Sequence, residues 1–188
     1  MSAPGWAGVV LAGGQSSRMG RDKALLPFQG KPLIAHAIEI LRPHVDELLV
    51  IGDPGKYGGF GPLALADDAP GLGPLGGILT ALRYAWHDRL IILACDMPNV
   101  TASFIEQLMA RYEDGFDAVV AQCDGHLEPL AAAYHRRCRT VFASQLAAGS
   151  LKLSAAIERM HTRYVQVCPG EEGWPVDLFR NINAPSDL

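Results

Sequence analysis

The sequence predicts an α/β fold of three layers, α/β/α, around a mostly parallel sheet. Short, wholly apolar runs alternate with longer segments of helical period, which is how strands buried on both faces and amphipathic helices read. The first apolar run ends in glycines and a later one in an aspartate. Strands alternating with helices of about 10–15 residues form βαβ units with right-handed crossovers. In such a sheet a ligand is expected at the carboxyl ends of the strands.

Residues 7–11 form the first buried strand, and residues 32–41 a helix with Pro32 at its start and Leu33, Ile34, Ala37, Ile38 and Leu41 on one stripe. A strand follows over 48–51. The glycine-rich GDPGKYGGFG at 52–61 is expected to be a mobile loop. A short strand is predicted over 62–66, a helix over 74–86, a strand over 90–93, a helix over 101–112 capped by Thr101, and a strand over 117–121. Beyond about residue 123 the alternation blurs into a strand at 129–134, helices at 135–148 and 151–159, and a strand at 164–167. No charge-rich or Pro/Ser linker and no internal repeat interrupts the chain, so residues 1–188 are read as a single domain.

The chain has 188 residues, of which 49% are hydrophobic and 19% charged, and this excludes a disordered or coiled-coil protein. A chain of this length buries roughly 70% of the surface that its unfolded form exposes, enough for a core without staples. A net charge of −4 argues against a general nucleic-acid binder. Cysteines 95, 123, 138 and 168 include no C-x-x-C, and the six histidines include no H-E-x-x-H, so zinc, dithiol and disulfide frameworks lack their signatures. The opening MSAPGWAG resembles no signal peptide, and no apolar run approaches the ~18 residues of a membrane span. A cytoplasmic protein with reduced thiols and no membrane partner is expected.

The segment LAGGQSSRMGRDKALLP, residues 11–27, carries the most information. Gly13 and Gly14 let the backbone approach a ligand closely, because neither has a Cβ. Arg18, Arg21, Lys23 and Lys31 follow, opposed only by Asp22, so an acidic chain concentrates three net positive charges beside a glycine turn. Backbone N–H groups together with Arg and Lys make an oligophosphate cradle. The spacing matches neither G-x-G-x-x-G nor G-x-x-x-x-G-K-[ST]. A plain βα turn is the competing reading, and four basic residues within fourteen decide against it. Asp96 closes LIILACD at the end of a predicted strand, where a carboxylate needs a partner or its burial is costly. It suits Mg²⁺, which takes one or two protein oxygens with phosphate and water, though a turn or N-cap aspartate would read the same locally. Ser16 and Ser17 lack a G-x-S-x-G elbow, so a serine hydrolase has no support.

This first motif, with GLGPLGGILTAL, ACDMP and RNINAPSDL following in order, resembles the molybdenum cofactor guanylyltransferases within the wider MobA-like nucleotidyltransferases. The resemblance runs from residue 8 to the end and is weakest in the middle of the second half. It implies a Rossmann-like fold of the nucleotide-diphospho-sugar transferase type, with the nucleotide in the N-terminal half and the acceptor in the C-terminal half. It implies transfer of GMP from GTP to molybdenum-bound molybdopterin, with Mg²⁺ as cofactor and other molybdenum cofactor biosynthesis or acceptor proteins as partners. Arg18, Lys23 and Asp96 would be catalytic, with Asp96 the metal ligand. Leu11, Ala12, Gly13, Gly14, Lys23, Asp68, Gly76 and Asp96 would bind nucleotide, and Asn181 and Asn183 would lie on the acceptor or phosphate side.

At several of these positions the residues alone leave alternatives open. Asp67 competes with Asp68 for the acidic position, and either could be a solvated turn. GPLGG could be simple helix-start chemistry, and NIN an ordinary turn. Ile51 stands where some relatives carry a polar nucleotide contact, and Ala94 where many have Pro. His126 and Glu128 could face the acceptor, and Arg136, Arg137 and Arg139 read equally as a solvated helix face. At the level of function, two alternatives remain: a CTP-using transferase of this fold acting on a pterin or sugar phosphate, and a non-catalytic nucleotide-binding carrier of the cofactor.

Overall fold

Strand β1 (Trp6–Leu11) is buried along its whole length in the computed structural model, which describes residues 5–13, 22–183 and 187. A small hairpin of β2 (Pro27–Phe28) and β3 (Lys31–Pro32) leads into α1 (Leu33–Leu41). Then come β4 (Glu47–Ile51), the short helix α2 (Pro54–Tyr57), β5 (Leu63–Leu65), α3 (Gly73–Tyr84) and β6 (Arg89–Ala94). The second half holds α4 (Ala102–Ala110), β7 (Ala118–Cys123), β8 (His126–His135), α5 (Cys138–Ala147), α6 (Leu153–Ile157) and β9 (Thr162–Gln166). Seven strands form one sheet in the order β5-β4-β1-β6-β8-β7-β9. Among the described residues only β8 runs antiparallel to its neighbours in that sheet.

The helices cover both faces, as three layers require. Side chains of β1 alternate: Trp6 and Val10 join α1 and α4 in one apolar cluster, while Ala7, Val9 and Leu11 join α3, α5 and α6 in another. Thr101 caps α4 as expected, its hydroxyl accepting from Phe104 N at 3.3 Å. No helix among the described residues is long and apolar enough to cross a membrane.

Two expectations need correction. The glycine-rich stretch 52–61 is not a bare loop: Asp53 accepts from Gly55 N at 2.9 Å, Pro54 sits in the first turn, and α2 delivers Tyr57 into the core. The Asp-Pro helix-start signal outweighs the glycines here. The cysteines are also not all reduced, since Cys123 and Cys168 form a disulfide. Parallel pairing of β7 with β9 sets Gln122 opposite Gln166, which brings the ends of these strands together across 45 residues of sequence. Cys95 and Cys138 are buried free thiols.

Candidate active site

The strand order reverses at β1: β4 and β5 build outward on one side and β6 on the other, so a crevice opens at the carboxyl ends of β1 and β6. The ladder continues past both strands. Cys95 N donates to Leu11 O at 3.0 Å, and Ala12 N donates to Ile51 O at 2.9 Å. The chain turns after Cys95, Met97 N donating to Ala94 O, and this leaves Asp96 at the rim. A cleft of about 1210 Å³ lies here, walled by Leu11 to Gly13, Lys23, Asp67, Asp96 and Asn183, with Gly73 and Gly77 of α3 opposite.

Lys23 is part of its wall. Asp22 caps the turn Lys23–Leu25 by accepting from Ala24 N at 3.2 Å. Buried Ala24 and Leu26 anchor that turn, and Leu26 packs with Leu33 and Ile182. The Lys23 ammonium donates to Asp96 Oδ2 at 2.6 Å and to Asn183 Oδ1 at 2.8 Å. Asn183 reaches this point because buried Ile182 pins the C-terminal segment, its N–H donating to Asp96 O at 2.8 Å. The pair is only partly open to water, at 19% and 23% side-chain exposure, so its electrostatics are screened less than those of a surface pair.

Asp96 Oδ1 is buried and has no hydrogen-bond partner among the described residues. An orphaned carboxylate oxygen beside a polar cleft is costly unless a ligand completes it. The fit is to a hard cation that takes one protein carboxylate and draws its remaining ligands from phosphate and water. No group of three or more His, Cys, Asp or Glu gathers among the described residues.

The other expected residues divide. Leu11, Ala12, Gly13, Lys23, Asp96 and Asn183 come together at the cleft. Gly14 and Arg18 lie outside the described residues, as does Arg21. Lys31 is paired with Glu39 at 2.8 Å on the outside of α1. Asn181 is exposed beside the cleft rather than in its wall. Asp68 is held outside by Arg83 at 2.9 Å, while Asp67 lines the cleft and accepts from Ala69 N at 2.9 Å. Gly76 faces this acidic turn: a Cβ there would lie 2.6 Å from Ala69 O and 2.9 Å from Asp67 Oδ2. Its lack of a side chain therefore seats Asp67 against α3. Glu128 has its carboxyl pushed up by burial, with His126 pulling it back down.

Sequence reasoning missed Tyr57 and Lys56. The Tyr57 hydroxyl lies 2.9 Å from both carboxylate oxygens of Asp22 and 3.1 Å from Ala12 O, and Lys56 Nζ lies 2.9 Å from Asp22 Oδ2. Burial, then the Asp22 contact, hold the phenol neutral.

With this geometry in place, similarity to known proteins becomes specific. Residues 8–165 match the family described as the MobA-like NTP transferase domain. A Bacillus licheniformis protein named probable molybdenum cofactor guanylyltransferase is 36% identical over 187 residues, covering 96% of this chain and 93% of that one. The molybdenum cofactor guanylyltransferase of Vibrio vulnificus is 32% identical over 183 residues, covering 96% and 91%. The crystal structure of molybdopterin-guanine dinucleotide biosynthesis protein A from Archaeoglobus fulgidus superposes with a TM-score of 0.79 at 26% identity, covering 96% and 94%.

Proposed function

Because the chain belongs to the MobA-like NTP transferase family, we propose that this cleft transfers GMP from GTP to molybdenum-bound molybdopterin, releasing pyrophosphate. The observation that carries the reading is Lys23, held between Asp96 and Asn183 where β1 and β6 end. The acceptor is a phosphate monoester whose second pKa near 6 leaves it mostly a dianion at neutral pH. It is already a nucleophile, so no general base is required, and the obstacle is repulsion between two anions. An acceptor oxygen bonds to the α-phosphorus as the bond from that phosphorus to the β-phosphate oxygen breaks, and pyrophosphate carries away the electron pair.

Lys23 would meet the triphosphate from one side, and the backbone of Leu11 to Gly13 would let it approach closely. Gly14 and Arg18 are assigned to the same phosphates on the family motif. Guanine would lie against the start of α3, where Gly73 and Gly77 leave room, with Asp67 beside it. Magnesium, held by Asp96, would neutralise phosphate charge and favour departure of pyrophosphate. Asn183, and Asn181 next to it, would serve the acceptor or phosphate side. The N-terminal half would bind the nucleotide and the C-terminal half the acceptor, within one domain in the cytoplasm.

Pyrophosphate release from GTP, CTP, ATP and UTP, with and without molybdopterin, tests the reading. Release from GTP only when acceptor is present is expected. Release from CTP instead would favour a cytidylyl transferase, and GTP binding without release would favour a carrier. Eight relatives of 31–36% identity bear the guanylyl name, which favours GTP.

A further inference from the structure

The segment between β4 and β5 has no role in the chemistry above, yet its Gly52, Asp53 and Pro54 line the cleft. Tyr57 is buried at 3% exposure, with its ring flat against Gly52, where a Cβ would come within 2.5 Å of Cε2. Its hydroxyl is aimed at two points of the chain that are far apart in function. One is Ala12 O, in the backbone wall of the cleft; the other is the carboxylate of Asp22, the residue just before Lys23. The hydroxyl has one proton, and the charged carboxylate is the stronger acceptor. Asp22 in turn caps the turn that carries Lys23, and Lys56 closes on the same carboxylate from outside.

We propose that Tyr57 is a positioning residue that, through Asp22, restrains the Lys23 ammonium at the cleft. The inference rests on the reading of Lys23 as the phosphate-binding cation. The chain of contacts is short: phenol to carboxylate, carboxylate to the N–H of Ala24, and the turn to Lys23. The phenol is buried and the Asp22 carboxylate largely so, and the phenol's place in the chain depends on α2 being folded. Loss of the hydroxyl leaves the ring packed on Gly52 and removes one of the contacts that fix the carboxylate, beside those of Lys56 and Ala24 N, so the turn loosens and Lys23 samples more orientations without loss of the core.

The test compares wild type, Tyr57→Phe, Lys23→Ala and the double variant. Amine-reactive labelling of Lys23 without nucleotide, followed by peptide mass spectrometry, should be several-fold faster in Tyr57→Phe than in wild type. kcat/KM for GTP should fall about ten-fold, the factor expected for one hydrogen bond to a charged group. In the Lys23→Ala background the same substitution should change kcat/KM by less than about two-fold, because its effect passes through Lys23. A merely structural residue would instead lower the melting temperature and cost activity equally in both backgrounds, and that result would overturn the proposal. Unchanged labelling of Lys23 in Tyr57→Phe would also overturn it. Asp22→Asn, which keeps the shape of the cap but weakens the acceptor, should reproduce the faster labelling and gives the answer if Tyr57→Phe folds poorly. Labelling needs no turnover, so it separates failure of this inference from failure of the GTP reading, which the wild-type pyrophosphate assay decides.

Discussion

Lys23 and Asp96 form one pair of opposite charges in the wall of the cleft. At 2.6 Å the ammonium satisfies Oδ2, while Oδ1 is buried with no hydrogen-bond partner among the described residues. Truncating either partner removes a preorganised charge and strands the other, so Lys23→Ala and Asp96→Ala should each lower turnover by about 100-fold or more. Steady-state pyrophosphate release at saturating GTP and acceptor checks this, and near-normal magnesium-dependent activity in Asp96→Ala would remove the metal assignment. The neighbouring thiol behaves differently. Burial pushes Cys95 up to about 12, and Cys138 likewise to about 12, from an ordinary value of 9.0. A raised folded pKa means that the stability involved is complete below pH 9.0 and drains as the pH climbs towards 12, because only the unfolded chain then sheds the protons. Urea unfolding at about pH 8 and pH 10.5 should show a larger loss for the native sequence than for Cys95→Ala, and both thiols should resist alkylation in the folded protein at the lower pH.

At the scale of elements, the helices and strands were readable wherever one rule dominated. β1 and β6 are apolar on both faces because both faces are covered, and α1 carries its stripe at helical spacing. Irregular turns were not readable in that way. Nothing in the period of the chain says which of Asp67 and Asp68 turns inward; Arg83 and Thr80, which come from a later helix, decide it. Tyr57 was hidden by its glycine neighbours, and the Cys123–Cys168 link by a sequence separation of 45, because the pairing that joins them exists only in the sheet. Gly76 illustrates how a turn and a helix depend on each other: a methyl group there would sit 2.6 Å from Ala69 O, so Gly76→Ala must shift the 67–69 turn or the start of α3. Overpacking of this kind costs about 1–3 kcal/mol. A lower melting temperature together with weaker GTP binding is expected, and calorimetric titration of the folded variant separates the two effects.

Across the whole molecule, sheet order does what no single motif does. Placing β1 between β4 and β6 gathers Gly13, Asp96 and Asp67 around one cleft, although the strand ends Leu11 and Ala94 are 83 positions apart in sequence. The antiparallel β8 runs back along β6 and brings Leu130 to the same cleft, so both halves of the chain border one volume. A ligand that fills this junction bonds to the folded state alone, because unfolding disperses every wall of the cleft. Binding should therefore appear as global stability. At 100 times its Kd a ligand adds about 2.7 kcal/mol, which for a domain of this size is about 5–11 °C in melting temperature. Magnesium with GTP should give that shift and CTP or ATP at the same concentration a much smaller one, read by scanning calorimetry. The magnesium-dependent part should vanish in Asp96→Ala while any residual GTP effect remains. An equal shift with CTP would move the assignment to a cytidylyl transferase with the fold unchanged, since in the proposed reading the base lies at the start of α3 and the phosphates at Lys23, so that base preference can change without the phosphate grip.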